Sequence, residues 1–245
     1  MYSLDKEKKT KKSLSRAMIL TTAILFSVYC FVLCPVYTHV CSDIVYSVTV
    51  LPEIIDFVIT VVDVAVYAIC FSLIIYSIYR FTLRSSGNLI AVFCASVFLK
   101  YTANFVITAI LDGAISYDDI SYTFSYFLID VLLMSVIVFI SNRIFKAHYQ
   151  NGSKAIAEVP LLPFKRLFDL SNPLLASAFA SGAVMALAKI ATRVIYDIYV
   201  GLPSSLVDLL WMVVYYLLDV FTGLVIYAVS VICFTKIYEK TGTDE

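Results

Sequence analysis

Long apolar segments recur along this chain, and their length limits the folds that it can adopt. Several of them have about 20 residues, the length of helix that crosses the hydrocarbon core of a bilayer. Hydrophobic residues make up 61% of the 245-residue sequence and charged residues only 15%, a composition typical of membrane proteins. The sequence therefore predicts an all-α integral membrane protein, built as a polytopic transmembrane bundle.

Six transmembrane helices are predicted from these segments. They cover approximately residues 17–34, 53–79, 89–111, 123–145, 173–200 and 206–234. Together they form a single predicted domain, residues 17–235, between a basic cytoplasmic tail at 1–16 and a short cytoplasmic tail at 236–245. A short helix on the membrane surface is predicted in the loop between the fourth and fifth helices, because residues 161–170 mix aromatic and basic side chains. Residues 36–52 fit either an interfacial or a re-entrant segment, and the sequence does not distinguish the two.

Basic residues are distributed unevenly between the two sides of the predicted bundle. Fifteen of the eighteen Lys and Arg residues lie in the two tails or around the loops that share their side, with Arg143 at the adjoining end of the fourth helix, and the other three lie well inside helices. The loops on the opposite side contain none. Because the cytoplasmic loops of membrane proteins are enriched in Lys and Arg, we predict that both termini are cytoplasmic. The expected location is the cell (plasma) membrane.

Six charged residues lie well inside the predicted spans, three acids and three bases. They are Asp63, Lys100, Asp130, Lys189, Arg193 and Asp219. A charge at the centre of a transmembrane helix costs about 2.5 to 3.5 kcal/mol on insertion scales, so these side chains are expected to contact one another, water or a ligand. Helical geometry puts them at similar depths, roughly 10 to 20 Å below the outer surface. Asn104 lies one turn after Lys100 and extends its polar face.

Two interpretations of these seven residues follow from their pattern. In the first, the acids and bases pair with one another and fix the packing of the helices, as expected of a membrane scaffold or assembly protein. In the second, they line a charged cavity in the outer half of the bundle, where Lys100 and Arg193 hold an anionic group and the acids hold a cation or a proton. The second interpretation predicts a small transporter or a solute-binding membrane subunit.

Enzymatic chemistry has little support in the sequence. The two histidines, His39 and His148, lie outside the predicted spans, which leaves an intramembrane serine without a base. No H-E-x-x-H, C-x-x-C or phosphate-binding glycine motif occurs, so we predict no catalytic residue, no metal site and no cofactor. A net charge of zero gives no reason to expect nucleic acid as a partner. The expected partners are the lipid bilayer, a small polar or anionic solute and a further protein subunit.

Overall fold

Five long helices and one short helix make up the part of the chain that the computed structural model describes. That part comprises residues 16–25, 27–28, 51–80, 83, 86–112, 117–150, 170–201 and 206–242. The short helix, α1, covers Arg16–Leu25. The long helices are α2 (Leu51–Arg80), α3 (Gly87–Asp112), α4 (Tyr117–Gln150), α5 (Pro173–Val200) and α6 (Leu206–Gly242). No strand occurs among these residues.

All five long helices are long and apolar enough to cross a membrane. The apolar segments within them are Val61–Arg80, Gly87–Ile107, Thr123–His148, Pro173–Tyr199 and Met212–Ile237. The predicted all-α class is confirmed for the described residues, and so are five helices of membrane-spanning length and composition. The first predicted span is described only in part by α1, and its end at residues 29–34 lies outside the described residues. Residues 36–50 and the part of the predicted surface helix up to residue 169 also lie outside the described residues.

Local sequence signals set both ends of α5. The side chain of Asn172 accepts a hydrogen bond of 2.9 Å from the backbone N–H of Leu174, and Pro173 occupies the first turn, where an N–H has no helical acceptor. Gly201 ends the helix with a φ of 100°, and its N–H donates to the carbonyl oxygen of Asp197 at 2.9 Å. These caps fix the extent of α5 and, with it, the position of the charged residues along the helix.

Two compact units divide the chain. The first contains Met1–Val66 and Ser77–Leu132, and the second contains Tyr67–Tyr76 and Leu133–Glu245. In the first unit, the hydroxyl oxygens of Ser77 and Ser86 lie 2.9 Å apart, and this hydrogen bond joins the end of α2 to the start of α3. In the second unit, α5 packs against α6. Each unit therefore brings neighbouring membrane-spanning helices into contact.

Gly182 and Gly223 mark a close approach between α5 and α6. A Cβ added to Gly223 would lie 2.7 Å from the carbonyl oxygen of Gly182 and 3.0 Å from the Cβ of Ala186. A side chain at Gly223 would therefore collide with the backbone of α5. Small residues at such contacts let two helix backbones pack closely in a membrane, where van der Waals contact drives helix association.

Several hydroxyl groups in the spans are satisfied within their own helix. Thr102, Ser181 and Thr222 each donate to the carbonyl oxygen four residues earlier, at 2.8, 2.8 and 3.1 Å. This bonding removes most of the cost of placing a hydroxyl in lipid. These three residues need no partner on another helix. The charged side chains therefore say more about the contacts between helices and about function.

Candidate functional site

Lys100 and Asp63 form an ion pair between α3 and α2 in the first unit. The Lys100 Nζ lies 3.3 Å from the Oδ1 of Asp63. The side chain of Lys100 is 10% exposed and that of Asp63 is 32% exposed. Asp63 is the thirteenth residue of α2 and Lys100 the fourteenth of α3, so both lie well inside their helices. The pair therefore joins a buried cation to a partly exposed carboxylate.

Tyr101 connects this pair to a second carboxylate. The Lys100 ammonium lies 5.0 Å from the centroid of the Tyr101 ring, within the distance of a cation–π contact. The Tyr101 hydroxyl donates a hydrogen bond of 2.8 Å to Oδ2 of Asp130 on α4. Asn104, one turn after Lys100, is half-buried. We call Asp63, Lys100, Tyr101 and Asp130 the α2–α4 cluster; its charged groups are two carboxylates and one ammonium.

Arg193 is the centre of a second cluster, formed by α5 and α6 in the second unit. Its Nε lies 2.6 Å from Oδ2 of Asp219, and its Nη2 lies 3.3 Å from Oδ1 of the same carboxylate. The guanidinium carbon lies 4.9 Å from the centroid of the Tyr215 ring. Nearby, the Tyr216 hydroxyl donates a hydrogen bond of 2.7 Å to Asp197. We call these five residues the α5–α6 cluster.

The two clusters contain the same kinds of contact but differ in which charge is buried. Each has an ion pair between two helices, a tyrosine ring beside the cation and a tyrosine hydroxyl that donates to a further aspartate. In the α2–α4 cluster the buried member of the pair is the cation Lys100. In the α5–α6 cluster it is the anion Asp219, held by two contacts and only 7% exposed. An incoming anion would therefore compete with Asp63 for Lys100 in the α2–α4 cluster. In the α5–α6 cluster an incoming cation would compete with Arg193 for Asp219.

Four of the seven predicted site residues are the ion-paired residues of these clusters, and Asp130 is bound to Tyr101. Lys189 lies on α5 one turn before Arg193 and is half-buried. Within the described part of the chain, no hydrogen bond or ion pair joins Lys189 to another residue. Whether these residues bind a ligand or only hold the helices together stays a prediction.

Sequence reasoning did not identify Tyr101 and Tyr216 as site residues. The available signal is position, since Tyr101 follows Lys100 directly and Tyr216 precedes Asp219 by three residues, on the same helix face. That signal is weak in a chain with 18 tyrosines, most of which suit helix ends and packing. Their partners lie on other helices, so the structure was needed to identify them.

The helices and the charges within them define the class of the protein. It is a helical chain whose five long apolar helices are compatible with a multi-pass membrane protein. Among the described residues there is no group of three or more side chains that could hold a metal ion. Comparisons with protein-family models, with curated proteins and with solved structures gave no match. The two clusters are therefore the basis for assigning a function.

Proposed function

We propose that this chain is a small transporter or a solute-binding membrane subunit, in which Lys100 binds an anionic group of the solute. The proposed protein lies in the plasma membrane with six spans, both termini in the cytoplasm and a short surface helix between the fourth and fifth spans. It has no enzymatic activity of its own, and any ATP-driven step belongs to a partner subunit. The observation that carries the proposal is the asymmetry of the Lys100–Asp63 pair.

The asymmetry makes Asp63 the exchangeable member of the pair. Asp63 is the more exposed member of the pair, so in the proposed cavity its carboxylate can be hydrated after it leaves Lys100. The ammonium of Lys100 is buried, and it needs a negative partner after the Asp63 carboxylate has moved away, because an unpaired charge inside the membrane is costly. A carboxylate or phosphate group of a solute would supply that partner. A lysine ammonium is a compact point charge, and it binds a carboxylate or a phosphate without requiring a fixed geometry.

The alternative function, a membrane scaffold or assembly protein with structural ion pairs, is favoured by the second cluster. Arg193 holds Asp219 by two contacts, and Gly182 lies against Gly223 in the same helix pair. A bidentate pair beside a close backbone contact leaves little freedom for exchange. In this alternative the Lys100–Asp63 pair also serves only to fix the helices.

Anion binding at Lys100 can be tested with two substitutions that change it in opposite directions. The purified protein, in phosphatidylcholine nanodiscs, is titrated with acetate, succinate and phosphate against a fixed chloride background, and its melting temperature is followed. Asp63→Asn removes the internal competitor, so at least one of these anions is expected to bind about tenfold more tightly than to the unmodified protein. Lys100→Met is expected to abolish the effect. Lys189→Met, which removes another half-buried lysine, is the matched control and should retain it.

The same titration separates the two candidate functions. If none of the three anions stabilises the unmodified protein or Asp63→Asn, the proposed anion site is rejected and the scaffold is favoured. Co-purification from the native membrane then distinguishes the forms of the first proposal. An associated ATPase or coupling subunit supports a solute-binding subunit, and a chain that is stable alone and carries out proton-coupled flux supports a carrier.

A further inference from the structure

Two basic side chains are exposed on one face of α4, near the end of its apolar segment. Arg143 and Lys146 lie within the last two turns of the segment Thr123–His148, and both are exposed. They are three residues apart on the helix, which puts their Cβ atoms about 5 to 6 Å apart. Both side chains can therefore contact a single anionic group beside the helix.

Neither of these cations forms an ion pair within the part of the chain that the structure describes. From Val131 to Gln150, α4 contains no Asp or Glu, and Asp130 lies roughly 20 Å from Arg143 along the helix axis. The ion pairs among the described residues involve neither Arg143 nor Lys146. Two positive charges are therefore available to an external partner.

The ring of Phe139 helps to position Arg143. The guanidinium carbon lies 5.3 Å from the centroid of this ring, one turn earlier on α4, within the distance of a cation–π contact. Phe139 is 59% exposed, and Val136, one turn further into the apolar segment, is 37% exposed. These residues and Lys146 recur every three or four positions, so they share one helix face. The face is apolar for roughly 10 Å and ends in two positive charges.

A phospholipid has the same division into an apolar and a charged part. One leaflet contributes about 15 Å of the roughly 30 Å hydrocarbon core, so an acyl chain can lie along Val136 and Phe139 while the phosphate lies beside Arg143. Arginine binds phosphate through two parallel hydrogen bonds, and lysine binds it as a point charge. Two unpaired cations favour a head group of net negative charge over the zwitterionic one of phosphatidylcholine. A soluble anion would gain nothing from the apolar part of the face.

We propose that this face of α4 binds an anionic phospholipid, whose phosphate is held by Arg143 and Lys146 and one of whose acyl chains lies along Phe139 and Val136. The loop that follows α4 is predicted to be cytoplasmic, and the cytoplasmic leaflet is the one that carries anionic lipids. This site goes beyond the anion exchange proposed at Lys100 and does not depend on it.

Native mass spectrometry of the full-length protein in detergent tests the proposal, because it counts bound lipids and measures the affinity for the first one. Phosphatidylglycerol and phosphatidylcholine with identical acyl chains are compared. We expect phosphatidylglycerol to bind at least about tenfold more tightly, since each basic side chain near the membrane surface contributes about fivefold. Arg143→Gln and Lys146→Gln should each reduce the preference for phosphatidylglycerol about fivefold.

Two matched controls separate this site from general attraction between basic residues and lipid. Arg80 ends the apolar segment of α2, and Arg80→Gln should change the affinity for phosphatidylglycerol less than twofold. Phe124 is 59% exposed, as Phe139 is. Phe139→Leu removes the cation–π contact and should weaken phosphatidylglycerol binding about threefold, whereas Phe124→Leu should not.

Equal affinity of the unmodified protein for the two lipids would overturn the proposal, and this comparison needs no variant. A loss as large in Arg80→Gln as in Arg143→Gln would also overturn it, because general attraction would then explain the preference. If the soluble head group glycerophosphoglycerol binds as tightly as the lipid, the face binds a free phosphate group and the proposal is wrong. Lys100→Met should keep the lipid preference, so failure of the anion site at Lys100 is distinguishable from failure of this one.

Discussion

Arg193 binds Asp219 through two hydrogen bonds, and the buried member of this pair is the carboxylate. Asp219 is 7% exposed, whereas Arg193 is 30% exposed. In the Lys100–Asp63 pair the order is reversed, since the ammonium is 10% exposed and the carboxylate 32%. Removing the accessible partner leaves a buried charge uncompensated, which costs more than leaving an accessible one. The more damaging substitution is therefore expected at the cation of one pair and at the anion of the other.

For the α5–α6 pair, we expect Arg193→Met to destabilise the protein more than Asp219→Leu does. Arg193→Met leaves Asp219 buried without a cation, at a cost of about 3 kcal/mol, the low end for breaking a buried pair. After Asp219→Leu, the long side chain of Arg193 can turn toward water, so the cost should be about 1 kcal/mol. The double variant should recover most of the loss. Unfolding of the purified variants by SDS titration measures these differences, and a greater loss in Asp219→Leu would contradict the expectation.

For the Lys100–Asp63 pair, we expect the opposite order, with Asp63→Asn as the more damaging change. It leaves the buried Lys100 ammonium without its carboxylate, at a cost of about 2 to 3 kcal/mol. Lys100→Met replaces the buried charge by an apolar side chain of similar length, and Asp63 is the more exposed member of the pair, so the change should be within about 1 kcal/mol. The same SDS titration applies. A Lys100→Met variant less stable than Asp63→Asn would show that Asp63, rather than Lys100, depends on the pair.

The contact between Gly182 and Gly223 predicts a steric effect on stability. Overpacking a close contact costs about 1 to 3 kcal/mol, and the higher helix propensity of alanine returns up to about 1 kcal/mol. Gly223→Ala should therefore lower the stability by about 1 kcal/mol, and Gly223→Val by more. Gly87→Ala is the matched control, since a Cβ there would meet nothing within 4 Å. Melting temperatures in nanodiscs are suitable for this comparison, and equal values for Gly223→Ala and Gly87→Ala would be inconsistent with a close helix contact.

The sequence was sufficient to predict the helices because membrane insertion depends on length and hydropathy. Both ends of α5 agree with the prediction, since Asn172, Pro173 and Gly201 mark them chemically. By contrast, α4 and α6 extend beyond the predicted ends, to Gln150 and Gly242. Hydropathy detects only the apolar part of a helix, whereas backbone hydrogen bonding continues into the polar residues that follow it.

The partners of the charged residues were less predictable than the residues themselves. The cost of a charge in lipid singles out Lys100 and Asp219 from sequence alone. Which carboxylate or tyrosine each one contacts depends on the rotation of neighbouring helices about their axes, and composition does not determine that rotation. Tyr101 illustrates the limit, because its importance comes from Asp130, which lies on the next helix.

The hydrogen bond from Tyr216 to Asp197 predicts a modest effect of removing one hydroxyl. Tyr216→Phe keeps the ring and deletes the 2.7 Å hydrogen bond, so a small loss of stability is expected, larger than that of the control below. Tyr199→Phe is the control, because Tyr199 is 89% exposed and a single hydroxyl there should change stability by less than about 0.5 kcal/mol. SDS unfolding of both variants provides the comparison. If the two losses are the same, the Tyr216 hydroxyl contributes nothing beyond an exposed one.

The distribution of basic residues predicts which loops face the outside of the cell. The connection between α3 and α4 contains no Lys or Arg, whereas the one between α4 and α5 contains several, so the first should be external and the second cytoplasmic. In a variant with all six cysteines replaced, single cysteines are introduced by Ser116→Cys, Ser153→Cys or Thr243→Cys. A membrane-impermeant maleimide should label the first in intact cells, and the other two only after permeabilisation. The reverse pattern would place the C-terminus and the connection between α4 and α5 outside. Labelling of Ser153→Cys and Thr243→Cys from opposite sides would require an odd number of crossings between them.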